Sequence, residues 1–215
     1  MRNDWICGEY LQTRKSELLD AFVQHIELTV ESVLIGTAVA IPLAIIARRL
    51  HVISLVLGSA TVIYTIPSVA LFSFFIPFTG VSSTTVVIGL VLYSLTILVR
   101  NVLAGLDAVD DDVKEAARGM GFGATRLLLT VELPLAVPAL MAGIRIATVS
   151  TVALTTVGGI IGSGGLGNLI FDGLSTTFKS QVLTASVLCV ALAIAADLVL
   201  QGATRLLTPW QRAAK

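Results

Sequence analysis

Residues 50–99 contain no Asp, Glu, Lys or Arg, and this stretch limits the possible folds more than any other feature of the chain. As a single helix it would be about 75 Å long, whereas the hydrocarbon core of a bilayer is about 30 Å thick. The stretch must therefore turn back once. Its only cluster of turn-forming residues is 77–83 (Pro-Phe-Thr-Gly-Val-Ser-Ser), which predicts one helix near 52–76 and another near 84–99.

Three further stretches are apolar enough to cross a membrane. Residues 32–47 are uncharged and extend back to 28 if Glu31 lies at the interface, and residues 146–171 and 180–196 follow later. The 146–171 stretch begins as helix near residue 139 and is interrupted by glycines from Gly158. Charged residues make up 13% of the chain and hydrophobic ones 55%, which leaves too few polar side chains to cover a globule in water. We predict an all-α, polytopic membrane protein with about five transmembrane helices.

The positions of Lys and Arg predict the orientation, because these residues resist translocation. With an odd number of spans the two chain ends lie on opposite sides. If the amino end is outside, ten basic residues lie inside: Arg48, Arg49, Arg100, Lys114, Arg118, Arg126, Arg145, Arg205, Arg212 and Lys215. The four left outside are Arg2, Arg14, Lys15 and Lys179. The charge distribution therefore predicts an N-out, C-in topology.

The two chain ends flank the predicted membrane domain, residues 26–207. Residues 1–25 are charged throughout and are predicted to be extracytoplasmic, and residues 208–215 to form a cytoplasmic tail. Leu18, Leu19, Phe22, Val23 and Ile26 recur at helical spacing. They indicate either a helix on the outer membrane face or a solvated tail, and the sequence favours neither.

A polar loop near residues 108–138 does not fit a lipid environment and is predicted to be cytoplasmic. Asp110 to Asp112 are N-cap candidates, and Glu115 follows Asp112 at capping-box spacing. Gly119, Gly121 and Gly123 are predicted to end this short helix. A second short helix, 124–133, is predicted to end at Pro134 and Pro138.

The residue order in this loop resembles the EAA loop, E-A-A-x3-G-x9-I-x-L-P, of bacterial ABC-importer permeases. Every position is filled, with valine in place of isoleucine as the single substitution: Glu115, Ala116, Ala117, Gly121, Val131, Leu133 and Pro134. The resemblance implies a coupling helix that sits in a groove of a separate cytoplasmic ATPase. Small alanines would allow close approach, and a glycine would permit the turn back to the membrane.

Two further stretches resemble the permeases for glycine betaine, carnitine, choline and proline. They are 64–71 (Tyr-Thr-Ile-Pro-Ser-Val-Ala-Leu) and the glycine-rich 158–174. Its glycines are predicted to let the chain leave the helix and fold back at the outer membrane face: Gly158, Gly159, Gly162, Gly164, Gly165 and Gly167. Methionine permeases share the size, the five spans and a related glycine-rich stretch, so a permease for methionine or another amino acid is the alternative.

The resemblance, which covers about residues 26–207, implies the type I ABC-importer permease architecture in a multi-pass protein of the bacterial inner membrane. It implies three kinds of protein partner: a second permease chain, identical or paralogous, a dimer of ATPase subunits, and an extracytoplasmic solute-binding protein. ATP would be bound by the ATPase, and the chain itself contains no GxxxxGK[ST] motif. We expect no enzyme activity and no cofactor. Cys7 and Cys189 show no metal-ligand spacing, and no basic run indicates nucleic-acid binding.

Polar and amphipathic side chains inside the spans are candidates for lining a solute pathway. They are Tyr64, Thr65, Ser68, Tyr93, Ser94, Thr148, Thr151 and Thr155. For each one the alternative is a hydroxyl bonded to its own helix backbone. A functional alternative from a different class is a gradient-driven secondary transporter, which requires acidic groups within the membrane. Only Glu31 and Asp197 qualify, and both lie near the ends of spans.

Overall fold

The computed structural model describes residues 4–212, and this range consists of helices joined by turns. The α-helices are α1 (Gly8–Thr13), α2 (Lys15–Arg49), α3 (Ile53–Thr65), α4 (Ser68–Thr79), α5 (Ser83–Asp107), α6 (Asp111–Gly119), α7 (Ala124–Leu127), α8 (Leu133–Val157), α9 (Leu166–Ser175) and α10 (Lys179–Leu207). A π-helical segment, Leu128–Glu132, joins α7 to α8, and 3-10 turns cover Gly158–Ile161 and Pro209–Arg212. Residues 1–3 and 213–215, which include Arg2 and Lys215, lie outside the described residues.

Four helical segments of the described range are each long and apolar enough to cross a membrane: α2, α5, the segment from α7 through α8 and its 3-10 turn, and α10. α3 and α4 pass the same test together, although they are bent by 96°, and as one span they make a fifth. The prediction of about five transmembrane helices is thus confirmed, whereas the one helix predicted near 52–76 is divided into α3 and α4. Pro67 has no N–H, and its ring holds Ile66 extended (φ −68°, ψ 130°). The helix therefore ends at Thr65 and begins again at Ser68.

α5 is the central helix, and α2 and α8 pack against it. Buried residues make up 61% of its most apolar window but only 11% of that of α10. Gly36, Ala40 and Ala44 recur every four residues on α2, and a side-chain atom at Gly36 would meet Ser94 and Leu98 of α5. Small residues at this spacing allow two membrane helices to approach closely. The core is therefore built around α5, and α10 leaves its apolar surface to lipid or to another chain.

The predicted second short helix, 124–133, is wrong because it is the start of a much longer one. α7 continues through the π-helical segment into α8, so Pro134 and Pro138 both lie inside one helix. A proline ring in a regular helix clashes with the carbonyl group four residues earlier, whereas a π-helical turn is wider. The π-helical segment directly before Pro134 therefore lets the chain pass this proline without a break, and α8 continues through Pro138.

Residues 18–26, predicted as a surface helix or a tail, belong to the first turns of α2. α2 has 35 residues and is therefore about 52 Å long, more than a bilayer core requires. Its first turns are covered by later parts of the chain, since Leu18 packs in one cluster with Leu166, Leu169 and Ala185. The beginning of α2 thus extends past the hydrocarbon core and is held by α9 and α10.

Candidate functional site

α6 forms the centre of the predicted coupling loop and begins with an aspartate cap. The side chain of Asp110 accepts a hydrogen bond from the Asp112 N–H at 2.9 Å. Of the three N-cap candidates it is therefore Asp110 that caps the helix, and the predicted capping box between Asp112 and Glu115 does not form. The cap removes one of the unpaired N–H groups at the helix start and places negative charge at the positive end of its dipole.

Gly121 ends α6 in a Schellman turn. The Phe122 N–H donates to the Ala117 carbonyl at 3.1 Å, and the Gly121 N–H donates to the Arg118 carbonyl at 2.9 Å. Gly121 itself has φ +85°, a backbone conformation that residues other than glycine rarely adopt. The backbone conformation therefore requires glycine at this position of the EAA pattern. A steric clash does not, because a Cβ there would meet nothing within 4 Å.

The residues of α6 divide between a buried and an exposed face. Ala117 and Lys114 are buried, at 2% and 6% exposure, whereas Glu115 and Ala116 are exposed. The Lys114 ammonium donates to the Asp111 carboxylate at 2.9 Å, and this hydrogen bond and charge lower the pKa of Asp111. One alanine of the pattern thus packs against the protein while its neighbour and Glu115 face outward, where a partner could contact them.

Ion pairs at the base of the loop join the ends of three helical segments. The Arg48 guanidinium at the end of α2 lies 2.8 Å from Glu132 in the π-helical segment and 3.8 Å from Asp107 at the end of α5. Beside them is a cavity of about 400 Å³ that Arg48, Arg118 and Phe122 help to line. The loop therefore lies at the end of the bundle that contains Arg48 and Arg49, which we call the arginine end.

The second half of the EAA pattern lies in the long helix and outside α6. Val131 belongs to the π-helical segment, and Leu133 and Pro134 begin α8. The two halves are linked by a compact turn in which the Arg126 guanidinium lies 4.3 Å from the centre of the Phe122 ring. The pattern thus describes an exposed short helix and the first turns of the membrane helix that follows it.

The six glycines of the glycine-rich segment surround a tight turn at the opposite end of the bundle, which we call the glycine end. α8 ends at Val157, as predicted, and the chain turns through Gly162 (φ +72°) and Gly165 (φ +56°) into α9. A Cβ at Gly165 would lie 2.7 Å from the backbone nitrogen of His25 in α2. Gly159, Gly164 and Gly167 similarly lie against backbone atoms. Close approach, in addition to chain reversal, therefore requires glycine here.

Two side chains that the sequence did not single out hold the glycine end. Asn168 accepts a hydrogen bond from the Gly164 N–H at 2.8 Å and donates to the Gly162 carbonyl at 3.3 Å. The His25 ring, fully buried, lies 3.1 Å from the Val152 carbonyl and so links α2 to α8. An amide residue inside a glycine cluster is a typical turn-stabilising signal and could have indicated Asn168. Nothing in the local sequence indicates the partner of His25.

The candidates for a solute pathway divide into two groups. Tyr64, Thr65 and Ser68 lie at the break between α3 and α4 with at least part of their surface exposed, and Tyr93 lines the same cavity as Tyr64 and Ser68. The other four, Ser94, Thr148, Thr151 and Thr155, are buried inside the chain. Hydroxyls of Ser94, Thr148 and Thr155 donate to backbone carbonyls of their own helices, the alternative considered above. The exposed face of the chain therefore includes Tyr64, Thr65 and Ser68, and Tyr93 reaches their cavity from a buried position.

Ser150, which is half-buried, joins the first group although the sequence did not distinguish it. It lines the cavity at the helix break together with Ala153 and Leu154, and it also lines a second cavity with Arg145 and Asp197. The predicted threonines 148, 151 and 155 share the buried face of α8, whereas Ser150 lies on the other face. A helical period of 3.6 residues separates these faces, but only the packing shows which is exposed.

Arg145 and Asp197 form a two-pronged ion pair between α8 and α10. The guanidinium donates to the two carboxylate oxygens at 2.8 and 2.9 Å. The sequence places Asp197 near the end of a span and counts Arg145 among the basic residues that predict the orientation. The structure instead pairs the two residues, 52 positions apart, and so compensates both charges within the membrane helices.

The family pattern described as "binding-protein-dependent transport system inner membrane component" matches residues 32–213. The chain belongs to this family. It is therefore a multi-pass inner-membrane protein of a transport system, and the five helical spans described above form its membrane domain. We refer to it below as the permease.

Relatives with stated functions match the permease over nearly its whole length. The choline transport system permease protein OpuBB of Bacillus subtilis is 36% identical over 94% of this chain and 93% of the relative. The glycine betaine/carnitine/choline transport system permease protein OpuCB of the same organism is 34% identical, with 93% of each chain covered.

A solved structure confirms the predicted architecture. A chain of the MetNI methionine ABC transporter in an inward-facing conformation superimposes with a TM-score of 0.82 over 91% of the permease and 98% of that chain. The identity is 21%, so this likeness shows that the permease has the ABC-importer permease fold and does not extend to the solute.

Proposed function

We propose that this permease is the membrane subunit of an ATP-driven importer for a small osmoprotectant such as glycine betaine, carnitine, choline or proline. Two permease chains, identical or paralogous, enclose the pathway between them. A dimer of cytoplasmic ATPase subunits binds ATP and drives alternation between inward and outward openings, and an extracytoplasmic binding protein delivers the solute.

The exposed face of α6 is the observation that carries the ATPase partnership. Glu115 and Ala116 are presented to solvent on a helix that is capped at its start, closed by a Schellman turn and held at its base by Arg48 and Glu132. A carboxylate beside a small residue suits a groove lined by basic groups, because the charge can be paired while the backbones approach closely. The helix is short and polar, so membrane insertion does not account for its amphipathic shape.

The solute class is supported by the names of the relatives at 34–36% identity, which are choline, carnitine and glycine betaine permeases. The methionine alternative has only the fold in its favour. The gradient-driven alternative requires an acidic group that is free to bind an ion, but Asp197 is engaged by Arg145 through both oxygens. The two acidic candidates of the sequence thus reduce to Glu31, which is exposed on α2.

Reconstituted uptake tests this proposal. The permease is placed in liposomes with its ATPase, and the loaded binding protein is added outside with radiolabelled choline, glycine betaine, carnitine, proline or methionine. We expect uptake of at least one of the first four with ATP inside and none with a non-hydrolysable analogue. Uptake of methionine alone would support the amino-acid alternative. Uptake driven by an ion gradient without ATP would support the secondary transporter.

A further inference from the structure

The break between α3 and α4 opens a cavity of about 400 Å³ on the exposed face of the permease. Small-molecule sites typically occupy about 300–1,000 Å³, so the cavity is large enough for the head group of a small solute. Its lining comes from four helices and the break itself: Tyr64, Ile66, Ser68, Tyr93, Ser150, Ala153 and Leu154. None of these seven side chains is charged. A charged solute would therefore bind here only if the lining attracts it in another way.

Two aromatic rings provide that attraction. The rings of Tyr64 and Tyr93 meet edge to face, with centroids 5.7 Å apart and planes at 79°. Tyr93 is almost fully buried, and its hydroxyl donates a hydrogen bond to the Ile66 carbonyl in the helix break. Tyr64 is 47% exposed. Tyr93 is therefore fixed by the break, and Tyr64 rests against it with part of its ring open to the cavity.

We propose that the Tyr64 and Tyr93 rings form a transient binding site for a quaternary ammonium group within the membrane pathway. This inference rests on the proposed function, which supplies a solute of that class. The negative face of an aromatic ring attracts a cation, and quaternary ammonium groups, which cannot donate hydrogen bonds, are recognised in this way. The last turn of α3 ends at the cavity, and the partial negative charge of a helix carboxyl end acts in the same direction.

The site is built to bind weakly, as a transport pathway requires. A carboxylate in the lining would hold a cation strongly in a medium of low dielectric constant and slow its release. Two neutral rings attract it less, and the half-exposed Tyr64 leaves one side of the cavity open. A solute passing the helix break would thus be favoured over water at this point without being trapped.

Graded fluorination of residue 64 tests the inference. Fluorine withdraws electron density from the ring face and so weakens cation binding, while it changes the size of the ring little. In the complete reconstituted transporter, Tyr64→Phe should retain uptake of radiolabelled choline and glycine betaine, because the ring face is kept. Mono-, di- and trifluorophenylalanine at position 64 should then lower uptake stepwise, by about threefold to tenfold in total. Hydrolysis of ATP stimulated by the loaded binding protein should stay unchanged along the series.

Phe74 on α4 gives the matched control. Its ring is 65% exposed and contacts Phe75 and Phe78, away from the cavity lining, so the same fluorinated series there should not change uptake. Uptake that is independent of fluorination at residue 64, or that is lost already in Tyr64→Phe, would overturn the inference and leave the proposed function intact. If the unmodified transporter takes up neither choline nor glycine betaine, the proposed solute class itself fails.

Discussion

The two ends of the permease both turn on glycines, but for different physical reasons. At the arginine end, Gly119, Gly121 and Gly123 are surrounded by open space, and only Gly121 has a backbone conformation that requires glycine. At the glycine end, Gly159, Gly164, Gly165 and Gly167 lie directly against backbone atoms of their neighbours. The first turn is therefore shaped locally and leaves its surface free, whereas the second is filled by the chain itself.

This difference separates a surface that is available to a partner from one that holds the bundle together. α6 is joined to the bundle by the Ala117 face and by ion pairs at its base, so its exposed face can be contacted without disturbing the core. The turn from Gly158 to Gly165 joins α2, α8 and α9, so a change there must spread into those helices. The following experiments test this comparison, beginning with the largest effect.

Cysteine labelling tests whether the two ends lie on opposite sides of the membrane. In a Cys7→Ala, Cys189→Ala background, we expect a cysteine at Ser83 to react with an impermeant reagent added outside and one at Ala124 to react only from inside. Both positions are exposed, and Ser83 is preferable to Ser82, whose side chain caps α5. The expected difference in labelling is all or none. Outside labelling at Ala124 would place α6 on the side without ATP, and the arginine end could then not be the end that contacts the ATPase.

Gly164→Ala should strongly destabilise the permease. The added Cβ would lie 2.6 Å from the Gly158 carbonyl carbon, closer than real side chains come, and this backbone cannot move aside on its own. We expect a loss of about 3 kcal/mol or more, seen as a lower midpoint of thermal unfolding in detergent and less permease in the membrane. Gly202→Ala on α10 is the control, because its Cβ would meet nothing within 4 Å. Equal stability of the two variants would contradict the tight packing.

Gly121→Val should lower transport strongly while it leaves folding nearly unchanged. Valine in the left-handed region costs about 2 kcal/mol locally, which opens the turn after α6 but leaves the core untouched. Uptake by the reconstituted transporter should fall about tenfold or more, with unchanged amounts in the membrane. Asp is tolerated better than Val in this conformation, so valine gives the sharper test.

Gly123→Val is the matched control for that experiment. Gly123 also has open space but is extended (φ −70°, ψ 163°), a conformation that suits valine. We expect near-normal uptake. A similar loss in both variants would mean that any side chain on this surface blocks the partner, and the special role of Gly121 would be lost.

Glu132→Gln should loosen the base of α6 by a moderate amount. The substitution removes the charge that Arg48 contacts at 2.8 Å, and we expect a coupling energy between the two residues of about 1–2 kcal/mol. A double-mutant cycle with Arg48→Gln measures it, with thermal unfolding as the readout. Hydrogen exchange should accelerate in residues 108–127 and remain unchanged at the glycine end. Acceleration at both ends would show that the two regions are not independent.

The smallest effect concerns Asp111 at the start of α6. Its hydrogen bond to Lys114 lowers its pKa below the ordinary 3.8, so the pair stabilises the helix at pH values above 3.8 and is lost as pH falls through the lowered value. Asp111→Asn should therefore accelerate amide exchange in α6 slightly at neutral pH, and this difference should vanish in strong acid. Asp112→Asn, whose side chain has no lysine partner in the described contacts, is the control. A difference that is independent of pH would exclude the ion pair as its cause.

Much of the fold follows from composition and spacing. Fifty uncharged residues cannot be one span, and the boundary of α2 at Arg49 follows from the double arginine. The end of α8 at Val157 follows from the glycines after it. These features depend on the local preference of residues for lipid, water or a particular backbone conformation. The α6 turn at Gly121 is of the same kind.

The tertiary structure decided the features that depend on distant partners. Pro67 produces a full break, whereas Pro134 follows a π-helical segment and Pro138 lies inside α8, and the local sequence does not distinguish these outcomes. The pairing of Arg145 with Asp197 joins residues 52 positions apart. Thr148, Thr151 and Thr155 of α8 are buried, whereas Ser150 is half-buried and lines a cavity, because packing against α2 and α5 decides which face of the helix is covered. Periodicity gives the faces of a helix, but only the neighbouring helices determine which of them remains open to a solute.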